Sequence, residues 1–497
     1  MWVDGCSKEL SSVVEDKDRK VIPRWRDFRR AFTLGEVDPL GSVEHRLIAD
    51  THFAEKLRDW ETNRSLPFAS ELLGAAIVSQ REAEALDAAQ FIISSQEAVP
   101  PAVAKLARKV ISPYESEEKP SSDLDQRHRL HELRMTLRDE PRDSLSWADL
   151  SLQYTNIGKA EPAARAMEIA MQLTPDNRFI IRSAVRFHIH KGDPDHAYHL
   201  LLRSDATESD PWLVAAEIAV SSIVGRTSDL IRVGKRMLAS RSYRARHLSE
   251  LASALGTLEM QSGANNRARK LFGQSLADPT ENSVAQARWV YHHLGGLDLD
   301  PSSLATPRSF EARAWAFFHV GKWKEALSES MNWLSDQRFS SRPSALSSYL
   351  AAVTLQDFNE GVRLARAGLV PNPHDPVLLN NLAYALANCG ELGLAENALL
   401  GIRNKKGEPA VEVLRLATSG LLEYRRGRFA SGRALYLRAI KTATSANLER
   451  LAAKASLFLA IEEKRANTAE VPEAKVRATK LAKPFKHPDV SLLLDRL

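Results

Sequence analysis

The residues best suited to acid–base chemistry are Arg288 and His293, the ends of the run Arg288-Trp-Val-Tyr-His-His293. On a helix, an R-x4-H pair would let an imidazole move a proton while a guanidinium steadies a phosphate, as RNA cleavage requires. The chain holds 14 histidines and is rich in arginine, so such a spacing arises by chance, and a solvated helix face is the expected reading. His131-Glu132 opens like a zinc-protease helix, but Met135 stands where the second histidine belongs. Cys6 and Cys389 are too far apart to supply a zinc site by themselves, and Cys389, just before Gly390 at a helix end, is expected to be a small buried filler. Neither G-x-x-x-x-G-K-[ST], G-x-G-x-x-G nor G-x-S-x-G occurs. The sequence therefore predicts no catalytic residue, no metal and no cofactor, and does not read as an enzyme.

A second group of residues has binding character. Arg19 to Arg30 carries six basic residues against Asp27 alone, with Trp25 and Phe28 interleaved. One reading is an arm that contacts phosphate and stacks on bases. Another is a docking arm, in which Arg24, Trp25, Arg26, Phe28, Arg29 and Arg30 anchor to a partner or back onto the rest of the chain. The third is an N-terminal helix with its aromatics in the core. Docking or packing is expected over nucleic acid, because the net charge of +5 is small for 497 residues. A second basic stripe, Lys475, Arg477, Lys480, Lys483 and Lys486, reads as a solvated cap.

The elements that position these residues are helices. Hydrophobic residues make up 44% and charged residues 26%, too apolar for a disordered chain. Two cysteines cannot staple it. No window of eighteen apolar residues occurs, and the first twenty residues turn charged too soon for a signal peptide, so a cytoplasmic location is expected. From Ser144 the chain reads Trp147, Leu150, Ser151, Tyr154, then Gly158, Ala163, Met167, Ala170 and Pro175. Trp147, Leu150 and Tyr154 share one helical stripe, Gly158 permits a turn, and the alanines let a second helix pack closely on the first. The pattern recurs: Gly158 to Gly192 and Ala163 to Ala197 are each 34 residues.

The W-x2-L-small-x2-Y, A-x3-large, P pattern resembles the tetratricopeptide repeat over about 300 residues, roughly 144–446. The resemblance implies an all-α, right-handed superhelical solenoid of about eight or nine hairpins, degenerate at 212–248 and 342–375. Around it the sequence suggests a basic and aromatic arm (1–45), a helical region with a worn repeat (46–111), and a connector with a lead-in helix (112–143). Two sub-arrays (144–294 and 310–465) flank a glycine- and proline-rich break or hinge (295–309), where a helix near 283–294 lacks its usual partner. Capping helices follow at 466–497.

The resemblance further implies a concave groove, lined by first helices, that binds a peptide or helix of a partner protein. The expected lining is Arg182, Arg186, Trp315, Phe318, Asn380, Asn381, Tyr384, Leu421 and Tyr424. An asparagine at the position of Asn381 commonly grips peptide backbone in that family; Asp149 and Ser183 hold the corresponding positions in earlier repeats. Arginine at one end and aromatics at the other suit a segment with acidic and apolar residues. The paired lysines and asparagines of the chaperone-tail binders are missing. The expected function is a scaffold or adaptor, a non-catalytic subunit of a bacterial multiprotein assembly. The alternatives are a regulatory sensor that changes shape on binding, and a helical R-x4-H ribonuclease or nucleic-acid binder; R-x4-H resembles the motif of helical ribonucleases that act as dimers. No membrane partner is expected.

Overall fold

The repeat is visible in how the helices begin and end. Asp143, Asn177, Asp210 and Asp375 each accept backbone N–H bonds at a helix start, satisfying donors that have no partner within the helix. Gly158, Gly192, Gly225, Gly263, Gly321, Gly390 and Gly427 take left-handed φ between paired helices, where a Cβ would be strained. A computed structural model describes residues 19–28, 43–79, 81–95, 99–111, 123–240, 242–294, 301–404 and 407–497. The described residues form helices and turns and contain no strand.

Four helices, α1 (Val43–Thr62), α2 (Leu66–Ser79), α3 (Leu86–Ser94) and α4 (Pro101–Ile111), bury a core of their own around Phe53, Trp60, Leu72, Leu73 and Ile92. After α5 (Asp123–Asp139), antiparallel pairs follow: α6/α7 (Ser144–Asn156, Ala160–Leu173), α8/α9 (Arg178–His190, Pro194–Arg203), α10/α11 (Pro211–Ile223, Ile231–Ala239) and α12/α13 (Ala245–Gln261, Asn265–Ser275). Helix α14 (Glu281–Leu294) has no second helix behind it among the described residues; a 3-10 turn, Pro301–Ala305, leads to α15. Pairing then resumes: α15/α16 (Phe310–His319, Trp323–Asp336), α17/α18 (Ser341–Tyr349, Phe358–Leu369), α19/α20 (Pro376–Asn388, Leu392–Leu400), α21/α22 (Pro409–Arg425, Phe429–Ser445) and α23/α24 (Glu449–Ala466, Val471–Ala482), with α25 (Pro488–Leu494) last. The fold is an all-α solenoid. Each pair hides its apolar stripe against the next pair, so the core runs as successive clusters along the coil.

The first helix of each pair faces inward and lines a trough. Close helix packing depends on small residues: a Cβ on Gly420 would lie 2.7 Å from the Tyr436 ring, and one on Gly432 would lie 2.5 Å from Tyr424. At its end the coil is capped. Arg496 donates to the carbonyls of Val353 (2.8 Å) and Thr354 (2.9 Å), in the π-turn Leu350–Thr354 that follows α17. Lys475, Lys480, Lys483 and Lys486 are exposed there.

The coil also meets itself. A Cβ on Gly158 would stand 2.5 Å from the carbonyl oxygen of Val370, just past α18, whereas one on Gly192 would meet nothing within 4 Å. Both glycines have φ above +70°. Alanine at either site should cost about 1–2 kcal/mol for left-handed backbone. Gly158→Ala should cost more, because Val370 must also move. Urea denaturation of the two variants checks this, and equal losses would mean that the contact between coils is absent.

Candidate partner-binding trough

The front half of the trough is filled by the chain's own residues 19–28. Arg19, Val21, Pro23, Trp25 and Asp27 are buried, alternating with half-buried Lys20, Ile22, Arg24, Arg26 and Phe28. That period of two is the signature of extended backbone, which presents successive side chains to opposite sides. The structure corrects the expectation of an N-terminal helix: the docked form is a strap. Its backbone is gripped by side chains of first helices. Asn282 donates to the Ile22 carbonyl (2.9 Å), Gln286 donates to the Arg19 carbonyl (2.8 Å), and the Phe28 N–H donates to Asp149 (2.7 Å).

The strap's arginines meet carboxylates on the trough floor. Arg19 donates to both oxygens of Glu311 (2.9 and 3.1 Å) and to Gln286 (2.6 Å) and Asn282 (3.0 Å). Arg24 also pairs with Glu311, and it donates to Gln337 (2.8 Å). Arg26 forks onto Asp336 (2.7 Å to each oxygen) and reaches Glu281 (2.6 Å). Asp27 is held by a bidentate pair from Arg129 on α5 (2.6 and 2.8 Å). Trp25 is fully buried, its ring 5.8 Å from Phe187 on α8 and 5.3 Å from Phe339 beyond α16. Phe28 packs edge-on against Phe179 at 5.2 Å. Arg29 and Arg30 lie outside the described residues. Arg19, Arg24 and Arg26 are thus neutralised and shielded, which removes them as phosphate contacts in this conformation.

Charge and burial compete in this network. Burial opposes ionisation of Glu281, but Arg26 and Arg24 outweigh it and bring its pKa down to about 2. Burial likewise opposes the Glu311 charge, and Arg19, Arg342 and Arg24 hold it well below the usual range. Asp149 is pushed well up, first by burial and then by the neighbouring Asp27. For the two depressed glutamates, the stabilisation is complete above their unfolded pKa of about 4.3 and is lost as pH falls through the folded values. Asp149, being raised, works the other way and favours the acid side. Hydrogen-exchange protection of residues 19–26 should therefore stay level from pH 8 to 5 and collapse from about pH 4 towards 2. Unchanged protection in acid would mean that these carboxylates do not hold the strap.

Several residues expected to line the groove are committed elsewhere. Phe318 and Leu421 are buried between helices, and Tyr424 is buried with its hydroxyl donating to Glu463 (2.6 Å). Phe318 meets Trp323 at 5.5 Å and Tyr424 meets Tyr436 at 6.1 Å, both on second helices, and Leu421 is 1% exposed, so these three are core residues, a correction to their assignment as partner contacts. Arg182 lies over the Trp212 ring at 4.6 Å and pairs with Glu250 (3.0 Å). Arg186 lies over Phe339 at 4.8 Å. Trp315 lines a small pocket with Arg19, His292, His319 and Arg342. Asn381 donates to the Ala345 carbonyl and to Ser348, both at 3.0 Å, tying α19 to α17, and also lines the rear cavity described next.

The rear half of the trough holds a mostly apolar cavity of about 710 Å³, its solvent mouth included, lined by Tyr349, Asn380, Tyr384, Val413, Lys454 and Phe458 among others. Asn380 is 7% exposed, and its buried Oδ1 accepts no hydrogen bond. Tyr384 is pushed up to about 12 by burial and then by nearby Glu462. Lys454 donates to Asp489 and to the Tyr349 oxygen, both at 2.7 Å.

Arg288 and His293 are each engaged within their own helix. His293 Nδ1 sits 2.7 Å from the Trp289 carbonyl of its own helix, with its ring stacked on Trp289 at 4.2 Å. Arg288 lies over Tyr291 at 5.4 Å. Cys389 is exposed, correcting its reading as a buried filler. The turn between α8 and α9 brings His188, Asp193 and His196 together, with donor atoms within 4.8 Å of one another.

No protein-family model and no curated protein matches the sequence. Among solved structures, the chain is similar to the APC/C hetero-tetramer Cut9–Hcn1, at 13% identity and a TM-score of 0.36, over 91% of this chain and 94% of that one. It is also similar to yeast Tom70, at 11% identity and a TM-score of 0.30, over 87% of this chain and 94% of that one. Among the described residues, no helix is long and apolar enough to cross a membrane.

Proposed function

We propose that this protein is a non-catalytic adaptor of the tetratricopeptide-repeat type, whose rear trough holds a segment of a partner protein. The observation that carries this reading is the strap: the same inward face, in the front half, already grips an extended polypeptide by backbone and side chain. The rear trough offers a preformed cavity and an unsatisfied side-chain acceptor, Asn380 Oδ1. A rigid surface of this kind spares the ordering cost of forming a site on binding.

Charge selects the partner. Around the cavity's tyrosines stand Arg425, Arg450, Arg465, Arg496 and Lys454, offset in part by Glu462, which pairs with Arg425 and Arg465, and by Asp489, which pairs with Lys454. A segment carrying an aliphatic or aromatic anchor with acidic neighbours fits that field. Asn380→Ala with Tyr384→Ala should reduce retention of such a partner by roughly tenfold or more while leaving helicity intact. Undiminished retention would move the binding surface elsewhere.

A regulatory reading draws on a separate observation. The strap bridges both sides of the 295–309 break, through Asn282 and Gln286 before it and Glu311 and Asp336 after it. Displacing the strap would free that joint. Cross-array distances measured with and without residues 19–28 test this, and identical distances would dismiss it.

A further inference from the structure

We infer that His188, Asp193 and His196 form a binding site for a divalent transition-metal ion of the Zn2+ class, built into the α8–α9 turn. The three side chains offer two imidazole nitrogens and a carboxylate oxygen, all within 4.8 Å of one another. Donors each about 2.1 Å from one ion stand at most about 4.2 Å apart, so binding requires one imidazole to turn out of the stack and the donors to close in.

The backbone beneath them is already fixed. Gly192 makes the turn with φ +77°. The Asp193 N–H donates to the His188 carbonyl (2.9 Å), and the His196 N–H donates to Asp193 Oδ1 (3.1 Å). These bonds bind all three positions into one unit and leave the second oxygen of Asp193 available. The His188 and His196 rings are stacked, with centroids 4.0 Å apart and planes 20° from parallel. His188 Nδ1 is buried and has no hydrogen-bond partner. A histidine with an unsatisfied buried nitrogen, grouped with a second imidazole and a carboxylate, is one that a metal can satisfy.

Two nitrogens and one oxygen suit Zn2+, Co2+ or Ni2+ and not Ca2+ or Mg2+, which take oxygen donors. Three protein ligands leave room for water or a further group. Lys191, on the same turn, is a competing cation. The ion would clip the end of α8 to the start of α9, beside Phe187, which meets Trp25 of the strap.

The test uses tag-free, full-length protein stripped with chelator and titrated with Co2+ alone. The expected result is a visible absorption band that saturates at one equivalent, is displaced by Zn2+, and accompanies a rise in thermal midpoint. His196 is exposed, so His196→Ala should fold normally and bind about tenfold or more weakly. Asp193→Asn keeps the backbone acceptor and should bind severalfold more weakly. His199→Ala, on the same helix but outside the group, should bind as the wild type does. Co2+ binding unaffected by His196→Ala, or no band up to millimolar Co2+, overturns the site.

Discussion

Trp25→Ala should destabilise the protein by about 3–5 kcal/mol, the range for truncating a buried tryptophan. The side chain is fully buried and joins Phe187 in the second repeat to Phe339 beyond the break. Alanine leaves a void between two parts of the coil that meet through this ring. The neighbouring arginines then keep their carboxylate and amide partners, but with water admitted beside them. Urea denaturation should show the loss, and limited proteolysis should cut residues 19–28 much earlier than in the wild type. Trp25→Phe should recover part of the stability. A loss below 1 kcal/mol with unchanged proteolysis would make the strap an ornament on an independently stable coil.

Glu311→Ala should cost a similar amount for a different reason. Arg19, Arg24 and Arg342 all pair with this one buried carboxylate. Removing it leaves three guanidinium groups, two of them at most 10% exposed, without their main counter-charge. Breaking a buried pair from one side costs about 3–5 kcal/mol, because the surviving charge is stranded. The check is a double-mutant cycle. Arg19→Met in the Glu311→Ala background should cost less than Arg19→Met alone, since it removes a stranded cation. Additive losses would mean that Arg19 and Glu311 act independently.

How much of this was legible beforehand varies by residue. The solenoid was: Trp147, Gly158 and Ala163 set a period that Gly192 and Ala197 repeat, and local helix chemistry enforces it. The placement of Asn380 and Tyr384 on the rear cavity also followed from phase. The burial of Phe318 and Leu421 did not, since one helical step decides whether a side chain faces the trough or the core.

The strap's receptor was missed for a definite reason. Asp149, Ser183 and Asn381 each lie six residues beyond a helix-capping residue, and six beyond Thr280 lies Gln286, which grips the strap. Gln286 does stand nine residues before Gly295, as Asp149 stands before Gly158, but the uneven interval from Gly263 to Gly321 hid that register. The arm's own signal was composition: arginines alternating with apolar residues. Its carboxylate partners, Glu311 and Asp336, sit some 300 residues away, and only the curvature of the coil brings them near.

The meeting of Gly158 with Val370 has a consequence for how such a chain can vary. A spring that touches itself, with a tie rod laid along its bore, has a fixed pitch. Inserting or deleting one hairpin between those two points would rotate them out of alignment and shear the rod. Changes in repeat number, the usual way solenoids lengthen, meet no such tie beyond Val370, where none of the described residues of the strap lies.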